Sequence, residues 1–170
     1  MKLCWNNSNG RLAAIVMLFT LVGGHAVSAN DLQQTIAQYH LAENEFQKGN
    51  AQPYKDLCSH ADDVTIFGGF GGFEKGWAQQ VEKRYDWASA RFSSDNDQNQ
   101  QIETISLVET AQMAYSVEIE RSQARIGNSG EVRPLALRVT TIFRLENGEW
   151  KLVHRHADPL VNRAAAMPKQ

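Results

Sequence analysis

The sequence predicts an α+β fold, with helices first and an antiparallel meander closing the domain. Three observations carry that prediction. Residues 31–46 and 77–92 repeat apolar side chains at helical spacing. Four later runs, near 102–109, 113–125, 137–145 and 150–158, alternate and are rich in β-branched and aromatic residues, as strands are. Asn147-Gly148 lies between the last two runs. That pair is the strongest short hairpin signal, because a type I′ turn needs φ > 0 at both central residues.

The chain has 170 residues, 42% of them hydrophobic, which suffices for one domain with a real core and excludes a disordered chain. A net charge of -2 with 21% charged residues gives no field that would attract nucleic acid, so no such partner is expected. The start of the chain reads as a secretory signal. Lys2 and Arg11 precede the apolar run 12–22, and Val27-Ser28-Ala29 supplies the small residues of a cleavage site. The run is short for a bilayer span, so the expectation is a signal peptide over 1–29, a mature chain beginning at Asn30, and no stable membrane insertion after cleavage. An uncleaved anchor is the other reading. The expected location is the periplasm or the exterior. After cleavage only Cys58 remains, which cannot form an internal disulfide and suits a small buried site.

The elements follow in order. Asp31 is a plausible N-cap, and Leu32, Ile36, Tyr39, Glu43 and Phe46 form one stripe. Glu43 is the oddity, close to the stripe's centre. It is either a helix-edge carboxylate reaching water or a carboxylate in a pocket wall with its pKa raised by burial. Residues 54–60 suggest a second short helix, and 64–67 a strand. The glycine-rich segment 68–73 lacks both the Gly-Lys-Ser/Thr ending of a phosphate cradle and the spacing of a dinucleotide fingerprint, so it reads as a tight turn and no cofactor is expected. A helix opens at Gly76-Trp77, with Trp77, Val81, Tyr85, Ala88 and Phe92 on its apolar face. Arg84 and Trp87 lie to one side of that face. Arg84 is either a surface arginine with a packed stem or an anion clamp aimed into a cavity. Residues 93–101 read as a loop. In the run 113–125, Met113, Tyr115, Val117 and Ile119 are expected to face the core. Glu118 and Glu120 are then expected on the outer face beside Arg138. The folded domain should span 30–160, leaving 161–170 as a loose tail.

A two-residue turn at Asn147-Gly148 would set Leu145 opposite Trp150, Phe143 opposite Leu152, Thr141 opposite His154 and Val139 opposite His156. In that register Arg155 points to solvent, and both histidines share an inward face with Thr141. Two imidazoles at i and i+2 sit about 7 Å apart. No third ligand stands at a telling spacing, so no metal is expected. As acid–base groups, histidines need little tuning.

The segments Asp63 to Gly72, Gly76-Trp77, Trp87 to Phe92, Leu137 to Thr140 and Glu149 to Asp158, the last with its Trp150-x-x-Val153-His154-x-His156 ending, resemble SnoaL-like proteins. These belong to the nuclear-transport-factor-2-like superfamily, near its ketosteroid-isomerase-like members. The resemblance covers nearly all of the mature chain. It implies a cone: a curved antiparallel sheet wrapped around N-terminal helices, enclosing a pocket. It also implies homodimers through the sheet's other face. It does not imply one activity, since the fold serves isomerases, dehydratases, cyclases and binding domains. Two expectations follow. One is an exported domain binding a small, partly apolar molecule, with Arg84, Trp87, Tyr115, Thr141 and His156 around the ligand. The other is an enzyme with Glu43 or His154 as acid or base.

Overall fold

The computed structural model describes residues 29–92, 100–125 and 131–161. The expected signal peptide up to residue 28, most of the 93–101 loop, the turn near 127–130 and the tail from 162 lie outside the described residues. The order is α1 (Ala29–Phe46), α2 (Gln52–Leu57), β1 (Thr65–Phe67), β2 (Glu74–Lys75), a π-helical turn (Trp77–Val81) running into α3 (Glu82–Ser89), β3 (Gln101–Glu109), β4 (Met113–Arg125), β5 (Val132–Glu146) and β6 (Glu149–Pro159). The six strands form one curved, unclosed sheet in the order β2-β1-β6-β5-β4-β3. Its pairings are antiparallel except β1 with β6, which is parallel.

The α1 stripe is buried as its spacing predicts: Leu32, Ile36, Tyr39 and Glu43 all lie inside. Tyr39 packs edge-on against Phe143 of β5 at 6.0 Å and against Tyr54 of α2 at 5.5 Å between ring centroids. Pro53 occupies the first turn of α2, where a missing N–H costs nothing. Leu32, Val81, Phe143 and Leu152 anchor the main core, each fully buried apolar side chain contributing roughly 1.5–3 kcal/mol. Leu137, Val139 and Ala157, with Leu135 against them, form a smaller separate cluster.

The hairpin turn forms as expected, with φ of 52° at Asn147 and 86° at Gly148, and Leu145 and Phe143 meet Trp150 and Leu152. Beyond that point the expected register is wrong. Phe143 pairs with Leu152 but Ile142 pairs with His154, so Val153 is an extra residue in β6. This β-bulge exchanges the faces of everything after it, because side chains alternate with a period of two. Thr141 now faces Arg155, and Val139 faces Ala157. Arg155 turns inward and is buried; His156 is exposed, and half-buried His154 shares its outer face. At the bulge Leu152 and Val153 are both buried, and the Ser59 N–H donates to the Leu152 carbonyl at 2.9 Å.

The facing expected for β4 is also corrected. Ala114, Ser116, Glu118, Glu120 and Ser122 point inward, while Met113 and Tyr115 are exposed on the outer face. Pairing decides this: Ser116, Glu118 and Glu120 lie opposite Thr141, Val139 and Leu137, the inward residues of β5. Arg138 is on the outer face, but its partner is Asp158, not the two glutamates.

Candidate functional site

Between the helices and the concave face, the described residues enclose a cavity whose walls are mostly apolar. Phe46 and Tyr54 come from the first two helices, Ile66 from β1, Tyr85, Ala88 and Phe92 from α3 and its end, and Leu135 and Leu137 from β5. Backbone at Gly68 and Gly69 completes the wall. A Cβ at Gly68 would stand 3.1 Å from the Arg84 guanidinium, and one at Gly69 3.2 Å from Leu137, so the glycines let this turn close against the pocket. The space open to the centre of a water-sized sphere is about 60 Å³, within a void of about 620 Å³ that includes the open mouth.

The deep end is polar. Glu43 of α1, Glu120 of β4 and Arg155 of β6 line it and are almost fully buried. Arg155 Nη2 donates to Glu120 Oε2 at 2.8 Å and lies 3.0 Å from Glu43 Oε1. Its Nε donates to the Tyr39 hydroxyl at 3.1 Å. That hydroxyl has one proton to give, to Glu120 Oε1 at 3.1 Å or Glu43 Oε1 at 3.4 Å. Behind this set Glu118, fully buried, meets His40 Nε2 at 3.1 Å and accepts from Thr104 at 3.4 Å.

Burial raises the Glu120 carboxyl to about 7; Arg155 opposes the rise, and Glu43 and Glu118 add to it. Burial acts on the Arg155 guanidinium in the opposite sense to its neighbours, yet Glu43, Tyr39 and Glu120 outweigh it and hold the pKa above its ordinary value. Burial also raises the Tyr54 phenol, which keeps its proton; Tyr39, Arg155 and Glu43 act on it electrostatically, and its ring packs against Tyr39 at 5.5 Å. That hydroxyl is buried without a hydrogen-bond partner among the described residues. The arrangement offers an apolar barrel, a buried charged floor and a carboxyl that exchanges its proton near neutrality.

The expected site residues divide. Glu43 and Arg84 both line the cavity, Glu43 at its buried polar end. The Arg84 guanidinium donates to the Gly71 carbonyl at 2.6 Å and stands 3.6 Å from Glu74. Trp87 is outside the lining; it packs at 6.2 Å against Phe70, which belongs to the wall, and carries Arg84 and Arg91 on its ring. Thr141 points inward but is buried against Ser116 Oγ at 2.5 Å and does not line the cavity. Tyr115, His154 and His156 face away from it. His154 Nδ1 lies 2.7 Å from the Thr65 hydroxyl, both histidines flank Phe67, and burial followed by the charge of His156 lowers the His154 pKa. Cys58 is buried, and burial pushes its thiol up to about 12, so it is not a nucleophile.

Sequence reasoning missed Glu120, Arg155, Tyr39 and Tyr54. One signal was available. Leu152-Val153 breaks the alternation of β6 with two consecutive apolar residues, as a bulge does, and shifting the face there sends Arg155 toward the side that holds Glu43.

No curated protein matches the chain by sequence. Solved structures share the fold at low identity. A nuclear-transport-factor-2-like superfamily protein from Salmonella enterica superposes with a TM-score of 0.64 at 14% identity, over 82% of this chain and 96% of that one. A ketosteroid isomerase-like protein from Erwinia carotovora atroseptica gives 0.64 at 15% identity, over 78% and 96%. A nuclear-transport-factor-2-like protein of unknown function from Shewanella oneidensis gives 0.53 at 11%, over 76% and 97%. The family profile described as SnoaL-like domain matches residues 32–161. That match runs from the first turn of α1 through β6 and includes every residue of the cavity floor, and the chain belongs to the SnoaL-like domain family.

Proposed function

We propose that this protein is an exported domain that binds a small, partly apolar molecule in the cone. The observation that carries the reading is the cavity itself: apolar and aromatic walls closing on Glu43, Glu120 and Arg155, with the Tyr54 hydroxyl buried and unpartnered beside them. A core evolved only for stability gains nothing from an orphaned buried hydroxyl, which costs about 1–3 kcal/mol. A few convergent polar groups in an apolar pocket are the usual form of a small-molecule site. A screen of small molecules by thermal shift, with hits confirmed by calorimetry, tests the reading. A stabilising hit must lose affinity when Leu137→Arg fills the cavity; hits indifferent to that change would defeat it.

A second reading, an acid–base enzyme of isomerase, dehydratase or cyclase type, is favoured by one observation. Glu120 sits at the cavity floor with its carboxyl near 7, where a proton-transfer group works best. A buried ion-pair network shifts its members whether or not it does chemistry, so binding stands first. Turnover assays on confirmed ligands separate the two, since an enzyme would lose turnover in Glu120→Gln while retaining binding. We also propose a homodimer through the outer sheet face, where Tyr115, Val108 and Phe67 are each about 40% exposed.

A further inference from the structure

Three residues that line the cavity each carry a polar atom without a hydrogen bond among the described residues. Arg155 uses Nη2 and Nε, leaving Nη1 free; Glu43 uses Oε1, leaving Oε2 free; and the Tyr54 hydroxyl has no partner. Two of these donate and one accepts. Together they ask for a head group that accepts from Arg155 and Tyr54 and donates to Glu43.

Charge narrows the head further. At the floor a carboxylate would meet Glu43 and Glu120, with Glu118 on the same strand face as Glu120, against the Arg155 guanidinium already shared between Glu43 and Glu120; the second guanidinium of the lining, Arg84, is turned to the Gly71 carbonyl and Glu74. An ammonium would suit Glu43 but face Arg155, and would leave the Tyr54 and Arg155 donors unpaired. A buried donor left unpaired, or a charge desolvated without compensation, costs more than an added apolar contact returns. A neutral head that both donates and accepts meets neither penalty.

Size sets the body. One water needs about 10–15 Å³ of occupied volume, and the space of about 60 Å³ counts only the positions open to the sphere's centre, so the cavity takes a body larger than one water, such as a single small ring. Phe46, Tyr85 and Phe92 supply aromatic walls for it. We propose that the cavity takes an uncharged single-ring molecule whose polar head, a hydroxyl or a primary amide, both donates and accepts hydrogen bonds, and that it rejects isosteric ions. This rests on the reading of the cavity as a small-molecule site.

Two isosteric pairs test it: benzamide against benzoate, and benzyl alcohol against benzylammonium, with toluene as an apolar reference. Each is titrated near neutral pH by NMR into the wild type and into Tyr54→Phe, which removes a hydroxyl that no protein group uses. The neutral member of each pair should bind about tenfold tighter or better, a difference of about 1.4 kcal/mol. Tyr54→Phe should weaken benzamide about fivefold while leaving toluene unchanged. Equal or tighter binding of benzoate or benzylammonium, or indifference of benzamide to Tyr54→Phe, overturns the proposal and leaves the cavity a binding site of other chemistry. If no probe binds, toluene included, the small-molecule reading itself falls.

Discussion

Glu120→Gln should abolish a pH dependence of stability that the wild type carries. The folded protein holds the Glu120 proton up to about 7, against 4.5 for an exposed glutamate. Between those values the folded state keeps a proton that the unfolded chain has released, so stability falls as pH rises through the window and levels off above it. At about 1.4 kcal/mol per pH unit the whole fall is about 3 kcal/mol. The step belongs to the cluster rather than to one carboxyl, since Arg155, Glu43 and Glu118 all act on it. Glutamine keeps the shape and removes the titration. Urea unfolding of both proteins from about pH 4.5 to pH 8 gives a difference curve in which groups distant from the cluster cancel. That cancellation matters because His154, with its lowered pKa, acts in the opposite direction: its neutral folded form loses stability as pH falls through the unfolded histidine value. The wild type should lose about 3 kcal/mol relative to the variant across the window. A flat difference curve would refute the placement of Glu120 in a desolvated site.

Four further outcomes are expected. Arg155→Met leaves Glu43 and Glu120 buried without their cation and should cost about 3–5 kcal/mol, with Arg155→Met/Glu43→Gln recovering part of it, as chemical denaturation would show. His154 should titrate below 6.5 by NMR, because burial disfavours its cation; a value above 6.5 would place it in another environment. Light scattering at micromolar concentration should give a dimer mass that Val117→Lys on the outer face reduces, whereas a clean monomer in the wild type removes the dimer. N-terminal sequencing of protein from the producing cell should begin at Asn30, and a retained Met1 in the cytoplasmic fraction ends the export reading.

The sequence by itself determined the elements whose cause is local. The α1 stripe is buried because its spacing matches the helical repeat, and Glu43 went inside with it because it stands among those positions. The Asn147-Gly148 turn follows from the φ each residue tolerates. The four long strands end close to where their alternation ends. Alternation names two faces of a strand but not which of them is concave. On β4 the apolar set was the natural choice for the inside, and the polar set took it. Glu118 and Glu120 are tolerated there because His40 and Tyr39 from α1 and Arg155 from β6 reach them, the last two across 81 and 35 residues of chain. The tertiary structure decided this, because the pairing of β4 with β5 sets which face is concave and one extra residue at Val153 brings Arg155 to it. Without that bulge Arg155 would face solvent, and the carboxylates of the floor would have no cation among them.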